Sequence, residues 1–169
     1  MNIDDINNMN VSYFIETFKN IFEKTKLIAE KAENLRPYKN KSHMINNFLL
    51  IFDSLNLKKK IQIIKNHPDL GDKIKINQGL TKLSQEEQSL AGLQDCTEEE
   101  FDTFNQLNTS FKLKFKIPFI FAVRGKNKDD ILNEFQLRLA NSNINSEIDI
   151  SIEQVKRIAL LRLEELIDG

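Results

Sequence analysis

Two short segments carry the residue types that proton transfer requires. His67-Pro68-Asp69-Leu70-Gly71 places an imidazole where a helix must end, and Ser84-Gln85-Glu86-Glu87-Gln88 begins thirteen residues after Gly71. The partial negative charge at a helix C-terminus favours the imidazolium form, so His67 can both give and accept a proton near neutral pH. His67 and Glu87 are therefore a candidate acid/base pair, although a histidine at a helix end can also serve only to complement the dipole.

Glu87 has a second, structural interpretation. Ser84-Gln85-Glu86-Glu87 fits a capping box, in which the serine accepts from the N3 amide and the glutamate accepts from the serine amide. Thr97-Glu98-Glu99-Glu100 has the same form, which shows that the pattern can be purely structural. Gln88 adds an amide that can donate and accept hydrogen bonds at the same helix end. The spacing leaves both roles of Glu87 open.

Two arginines have unusual surroundings in the sequence. Arg162 shares one helix face with apolar residues, so it either extends to the edge of the core or is held inside by an anion; the apolar neighbours are Val155, Ile158, Ala159 and Leu166. Arg124 follows the apolar run 117–123 and precedes Gly125, where backbone amides outside a helix can bind a ligand. An arginine on a surface turn is the alternative for Arg124.

The elements that position these residues are predicted to be helices. Only five glycines and three prolines occur in 169 residues, and apolar residues recur mainly at three- and four-residue steps. Two segments interrupt the helices, a long connection over 69–83 and a turn or short extended piece over 117–123. Connections as long as 69–83 are uncommon in compact domains and are often functional. The predicted helices are 11–34, 42–55, 56–66, 84–93, 97–115, 128–140 and 151–167.

Length, charge and cysteine content narrow the class of protein. A chain of 169 residues predicts one domain over 1–169. The 24 Lys+Arg nearly balance the 25 Asp+Glu, so we expect no nucleic-acid partner and no membrane association, and no apolar run approaches the roughly 20 residues that span a bilayer. A single cysteine and an acidic N-terminus indicate the cytoplasm. No metal-ligand spacing, phosphate loop or nucleophile elbow is present, so no metal site is predicted.

Nearly the whole chain resembles the 2-oxo-4-hydroxy-4-carboxy-5-ureidoimidazoline (OHCU) decarboxylase family of urate degradation. Each matching motif is weak, but their order and spacing together are specific. The motifs are Ile21-Phe22-Glu23, Ala29-Glu30-Lys31-Ala32, Arg36-Pro37, His67-Pro68-Asp69-Leu70-Gly71, Ser84 with Glu87-Gln88, Ala91-Gly92-Leu93, Phe104-Asn105 through Lys114-Phe115, Pro118-Phe119-Ile120, Val123-Arg124-Gly125, Ile158-Ala159 and Leu161-Arg162-Leu163. The chain departs from the family pattern at Lys116-Ile117, Phe111 and Ser89-Leu90.

The resemblance implies an all-α, single-domain multi-helix bundle that is cofactor-free and commonly a homodimer. It implies decarboxylation of the small-molecule acid to (S)-allantoin, with His67 and Glu87 as catalytic residues. The substrate-binding positions it implies are Pro68, Ser84, Gln88, the backbone of Ile120, Phe121, Ala122, Val123 and Arg124, and the side chain of Arg162. The alternatives are a helical ligand-binding domain without turnover and a decarboxylase of a related ureido or imidazole acid.

Overall fold

The computed structural model describes residues 1–71, 80–141 and 143–168, and every regular element in these ranges is helical. The predicted all-helical class is confirmed. No helix in the described ranges is long and apolar enough to cross a membrane. The helices are α1 Ile3–Asn8, α2 Val11–Phe18, α3 Lys26–Glu33, α4 Lys41–Asp53, α5 Leu57–Asn66, α6 Lys82–Leu90, α7 Glu98–Phe115, α8 Lys128–Asn141 and α9 Ile144–Leu166, with a 3₁₀ turn over Leu93–Asp95.

The helices form two compact units. The first comprises residues 1–63 with 156–168, and the second comprises residues 64–155. Aromatic contacts build the core of the first unit: the ring centroids of Phe14 and Phe18 lie 4.7 Å apart, and Phe22 stacks on Phe52 at 4.9 Å. One domain over 1–169 stays a prediction.

The core of the second unit is also aromatic. Phe119, which follows the last turn of α7, stacks on Phe135 of α8 with ring centroids 3.7 Å apart. Phe111 of α7 meets both rings edge-on, at 5.2 Å and 5.7 Å. These three buried side chains fix the connection between α7 and α8 against the body of the unit.

The prediction of one helix over 11–34 is wrong. The structure has α2 and α3 with an irregular segment between them, in which Lys24 has a left-handed φ of 49°. Ile21, Phe22 and Glu23 are all buried, with 1%, 1% and 0% of their surfaces exposed. These three consecutive residues would point to different sides of a helix, whereas the irregular segment buries all of them. The short helix α1, capped by Asn2, was not predicted.

The predicted start of the 84–93 helix at Ser84 is also wrong. Helix α6 begins at Lys82, and the Thr81 hydroxyl accepts from the Ser84 amide as its cap. Ser84 is buried in the first turn, with 4% of its surface exposed, so it cannot be the N-cap of a Ser84–Glu87 capping box. The capping box at Thr97 and Glu100 is present at the start of α7.

Helix α9 begins seven residues before the predicted Ser151. Asn143 caps it through Oδ1, which accepts from the amide of Ser146 at 3.0 Å. This start could not be predicted from apolar spacing, because the residue that is fully buried in the first turn, Glu147, is charged. The remaining predicted helices agree with α4, α5, α7 and α8 to within two residues at each end.

Candidate active site

His67 directly follows α5 and begins a short segment, His67–Gly71, that turns away from the helix. Its backbone amide donates to the carbonyl of Ile64 at 3.1 Å, which closes the last turn. Only 8% of the His67 surface is exposed, and Pro68 prevents the helix from continuing. The predicted position of His67 at a rigid helix end is confirmed.

Side chains from α6 and α7 hold the His67–Gly71 segment. Gln88 of α6 donates from Nε2 to the carbonyl of Asp69 at 3.2 Å and accepts at Oε1 from the amide of Gly71 at 3.1 Å. Asn108 of α7 donates from Nδ2 to the carbonyl of Leu70 at 2.9 Å. Because these bonds use buried backbone groups, each one that is lost leaves a costly unsatisfied polar atom.

The carboxylate of Asp69 forms an ion pair with α7. Its Oδ2 accepts from Nζ of Lys112 at 2.6 Å. The Asp69 side chain is 8% exposed, whereas that of Lys112 is 43% exposed, so the pair sits at the border of the core. The ion pair fixes the residue two positions after His67 and neutralises both charges.

Gly71 ends the segment because no other residue fits there. Its φ is +67°, and a Cβ atom at this position would lie 2.7 Å from Cγ of Phe104. Both the left-handed backbone and the close approach of an aromatic ring require glycine. The next eight residues, 72–79, lie outside the described part of the chain, and the predicted long connection 69–83 falls mainly on them.

Helix α6 presents Ser84, Glu87 and Gln88 on one face, since residues three and four apart in a helix are neighbours. Ser84 and Gln88 are buried, and Glu87 is half-buried. The structure therefore joins Gln88 to the His67–Gly71 segment by hydrogen bonds and places Glu87 one residue earlier on the same helix. Catalysis by His67 and Glu87 stays a prediction.

The second predicted substrate-binding segment, Ile120–Arg124, lies in the connection between α7 and α8. The carbonyl of Ile120 accepts from Arg138 Nη1 at 2.6 Å, and the amide of Ala122 donates to Gln154 Oε1 at 2.9 Å. Ile120 and Val123 are buried, while Phe121, Ala122 and Arg124 are half-buried. Side chains of α8 and α9 thus fix the shape of this backbone, as a preorganised binding segment requires.

Arg138 belongs to a buried ionic network. Its Nε lies 3.1 Å from Oε1 of Glu147, and its Nη2 donates to the same carboxylate oxygen. The Ser151 hydroxyl also donates to this carboxylate, at 3.3 Å, and the guanidinium lies 4.5 Å from the ring centroid of Phe119. Arg138 is 3% exposed and Glu147 is 0% exposed.

Arg162 is enclosed in the first unit. Its Nη1 donates to the carbonyl of Asn20 at 2.8 Å and to Oε2 of Glu23 at 3.0 Å. With Arg162 1% exposed and Glu23 0% exposed, the anion that holds this arginine inside is a residue of the chain itself. This agrees with one of the two interpretations of its apolar face, and substrate binding by Arg162 stays a prediction.

The sequence reasoning missed Arg138, Gln154, Asn108 and the ion pair of Asp69 with Lys112. Arg138 follows Ile131 and Phe135 at helical steps of seven and three residues, which is the same signal that singled out Arg162. The other residues lie on mixed faces and give no comparable pattern.

Cys96 does not have the features of a nucleophile. Burial and, to a lesser extent, the negative charge of Glu100 raise the pKa of its thiol. A raised pKa lowers the fraction of reactive thiolate at neutral pH.

Comparison with known proteins identifies the family. The family model described as OHCU decarboxylase matches residues 7–164. A 2-oxo-4-hydroxy-4-carboxy-5-ureidoimidazoline decarboxylase of Xenopus laevis is 32% identical, with 98% of this chain and 94% of the relative covered. The chain therefore belongs to the OHCU decarboxylase family. This confirms the family, the enzyme class of carboxy-lyase and the link to urate degradation that were predicted from the sequence.

A second relative and two solved structures agree with this. The uric acid degradation bifunctional protein of Bacillus sp. (strain TB-90) is 37% identical; the match covers 98% of this chain, which spans 32% of that protein. A crystal structure of (S)-allantoin synthase gives a TM-score of 0.78 at 22% identity, covering 99% of this chain and 54% of the other. A crystal structure of OHCU decarboxylase in the presence of (S)-allantoin gives 0.70 at 18%, with coverages of 88% and 95%. These structures confirm the fold.

Proposed function

We propose that this protein decarboxylates 2-oxo-4-hydroxy-4-carboxy-5-ureidoimidazoline to (S)-allantoin, with His67 and Glu87 as the catalytic residues. The observation that carries the assignment is the arrangement of His67–Gly71, which side chains of α6 and α7 hold rigidly beside the helix that bears Glu87. A proton-transfer group must be held close to its working geometry, and the hydrogen bonds that fix the backbone of 69–71 next to His67 support this role.

The chemistry needs no electron sink from the protein. The substrate has an imine carbon next to the carbon that carries the carboxylate and the hydroxyl, so it can accept the electrons that the departing carbon dioxide leaves behind. The protein has to orient the carboxylate and to move protons. His67 moves a proton on the hydroxyl side, and protonation on one face gives the S centre.

Glu87 and Gln88 are proposed to bind the ureido and ring nitrogens. A carboxylate accepts from N–H groups, and an amide can accept and donate. Both groups of the Gln88 amide already bond the backbone of His67–Gly71, so Gln88 also supports the segment that carries the catalytic histidine. Pro68, Ser84, the 120–124 backbone and Arg162 complete the proposed substrate-binding set, with Arg162 binding an anionic or carbonyl oxygen.

The test follows the circular-dichroism signal of (S)-allantoin while the unstable substrate is generated in situ from urate. We expect the wild-type protein to accelerate the signal, and His67→Ala and Glu87→Gln to lower the rate roughly 10²–10⁴-fold, as loss of a general acid or base does. His43→Ala and Glu86→Gln are matched controls, because His43 lies in α4 and Glu86 is the exposed neighbour of Glu87.

Each outcome has a defined meaning. Rates within about threefold of wild type for both site variants would contradict the catalytic assignment. An absence of acceleration by the wild-type protein would instead favour a ligand-binding domain without turnover. Acceleration of another ureido or imidazole acid alone would favour the related decarboxylase.

We also propose that the protein is a homodimer in the cytoplasm. The family resemblance supports the dimer, and the single cysteine fits a reducing compartment. Light scattering should give twice the 19.7 kDa mass of one chain, and cell fractionation should recover the activity with cytoplasmic markers.

A further inference from the structure

A cavity of about 430 Å³ lies beside His67, and its wall is rich in positive charge. Among the described residues, three lysines line it, Lys65, Lys112 and Lys116, together with one carboxylate, Asp69. The volume falls in the range of small-molecule sites. All of these residues belong to the second unit.

The charges of the wall do not cancel. Lys112 and Asp69 neutralise each other through their 2.6 Å ion pair. Lys65 and Lys116 are exposed and have no counter-ion among the ion pairs of the described residues. Within the described part of the wall, two positive charges therefore remain at a cavity that the candidate catalytic histidine also lines. The whole chain has a net charge of −1, so this excess is local.

Lys116 adopts a backbone conformation that lysine rarely takes. It ends α7 with φ 61° and ψ 17°, in the left-handed region, and its amide donates to the carbonyl of Lys112 at 3.0 Å. Glycine is the usual residue at such a helix end, because a Cβ atom is strained there. A lysine therefore stands at the wall of this cavity at some cost in backbone strain.

We propose that Lys116, together with Lys65, binds the carboxylate of the acid substrate in this cavity and so delivers the substrate to His67. The assignment rests on the proposed function for the identity of the acid. An ammonium group attracts the carboxylate as the substrate binds, but the carboxylate then leaves as uncharged carbon dioxide. The attraction therefore favours the bound substrate, and its loss should raise KM without lowering kcat. The attraction between exposed charges is weakened by salt, which gives it a measurable signature.

The kinetic arm compares variants of the full chain in the (S)-allantoin assay. We expect Lys116→Gln and Lys65→Gln to lower kcat/KM about three- to tenfold through KM, with kcat unchanged and a weaker dependence on ionic strength. Lys116→Arg should restore kcat/KM. Lys58→Gln is the control for charge, because Lys58 is exposed on α5 and does not line the cavity.

Lys116→Gly separates function from backbone strain. Glycine relieves the left-handed conformation, so we expect an unchanged or higher urea midpoint together with the same loss of kcat/KM. Lys24→Gly is the matched control, because Lys24 is the other non-glycine residue with positive φ in the described part of the chain. It should keep the wild-type kcat/KM.

The binding arm does not require turnover. Imidazole-4-carboxylate is titrated into the wild-type protein, and the ring resonance of His67 is followed by NMR, with His43→Ala assigning the two histidine signals. We expect the carboxylate to shift the His67 signal at concentrations at which the neutral imidazole-4-carboxamide does not, and Lys116→Gln to weaken the shift.

Either arm can overturn the proposal. Wild-type kcat/KM in both Gln variants of an active enzyme refutes it and leaves the proposed function intact. Equal effects of the carboxylate and the carboxamide on His67 also refute it. If the wild-type protein does not accelerate decarboxylation, the proposed function fails and the binding arm alone decides whether the cavity receives carboxylates.

Discussion

Replacing Arg138 by methionine tests whether the buried ionic network holds the predicted substrate-binding backbone. Methionine keeps most of the side-chain length but removes every donor. The variant leaves the fully buried Glu147 without its guanidinium and the carbonyl of Ile120 without the donor at 2.6 Å. The double variant Arg138→Met/Glu147→Leu removes the stranded charge, and it leaves the carbonyl of Ile120 and the hydroxyl of Ser151 without these partners.

The expected loss follows from the burial of the pair. Breaking a buried ion pair by removing one partner costs about 3–5 kcal/mol, because the remaining charge is uncompensated. A domain of this kind is stable by roughly 5–15 kcal/mol, so the single variant should lose a large fraction of its free energy of unfolding. Each buried neutral polar group left unsatisfied costs about 1–3 kcal/mol. The carbonyl of Ile120 loses its donor in both variants, and a hydroxyl without an acceptor costs less than a stranded buried charge, so the double variant should be the more stable of the two.

Urea unfolding and kinetics provide the assay. With a slope of roughly 2 kcal/mol per molar urea, a loss of about 4 kcal/mol lowers the midpoint by about 2 M. At temperatures where the double variant is folded, KM should rise more than kcat falls, because the 120–124 backbone has lost the hydrogen bond from Arg138 that anchors it. A single variant as stable as the double variant, or a double variant with wild-type KM, would refute this reasoning.

Three further substitutions have defined outcomes. Gly71→Ala should lower the thermal midpoint and kcat/KM together, because its Cβ would lie 2.7 Å from the ring of Phe104 at a φ of +67°; unchanged values would contradict the close approach. Glu23→Gln should cost about 3–5 kcal/mol in urea unfolding, because it leaves Arg162 buried beside a neutral amide; a cost below about 1 kcal/mol would contradict the buried pair. Burial raises the pKa of Tyr38 above its ordinary value of 10.0. Its contribution to stability is therefore complete below about pH 10 and is lost as the pH rises further, because the unfolded chain releases the proton first. Tyr38→Phe should flatten this decline in pH-dependent unfolding, and a parallel decline would contradict it.

Long periodic elements of the fold could be predicted from the sequence. The apolar spacing gave α4, α5, α7 and α8 nearly to the residue, since their buried positions follow one face. The break between α2 and α3 could not be predicted, because the buried Glu23 pairs with an arginine 139 positions away, which local spacing does not reveal. The early start of α9 was hidden for the same reason, since Glu147 is buried by its pairing with Arg138.

Some features of the candidate site could be predicted from the sequence and others could not. The helix end at His67 could be predicted because the next residue, Pro68, lacks the backbone N–H that a continuing helix needs. The hydrogen bonds of Gln88 and Asn108 to the backbone of 69–71 depend on tertiary placement, which local patterns do not contain. The N-cap was predicted three positions too late, at Ser84 instead of Thr81, because both residues are suitable caps and their sequence alone does not distinguish them.

The hydrogen bonds of Gln88 to the 69–71 backbone and the bond between Arg162 and Glu23 can form at different stages of folding. Gln88 reaches the backbone of Asp69 and Gly71 across only 19 and 17 residues, so little chain entropy is lost when this loop closes. The bond between Arg162 and Glu23 joins positions 139 residues apart. It can form only after the helix that carries Arg162 has been synthesised and has packed near Glu23. The backbone around His67 can therefore acquire its native hydrogen bonds on the ribosome, before the last helix has been synthesised.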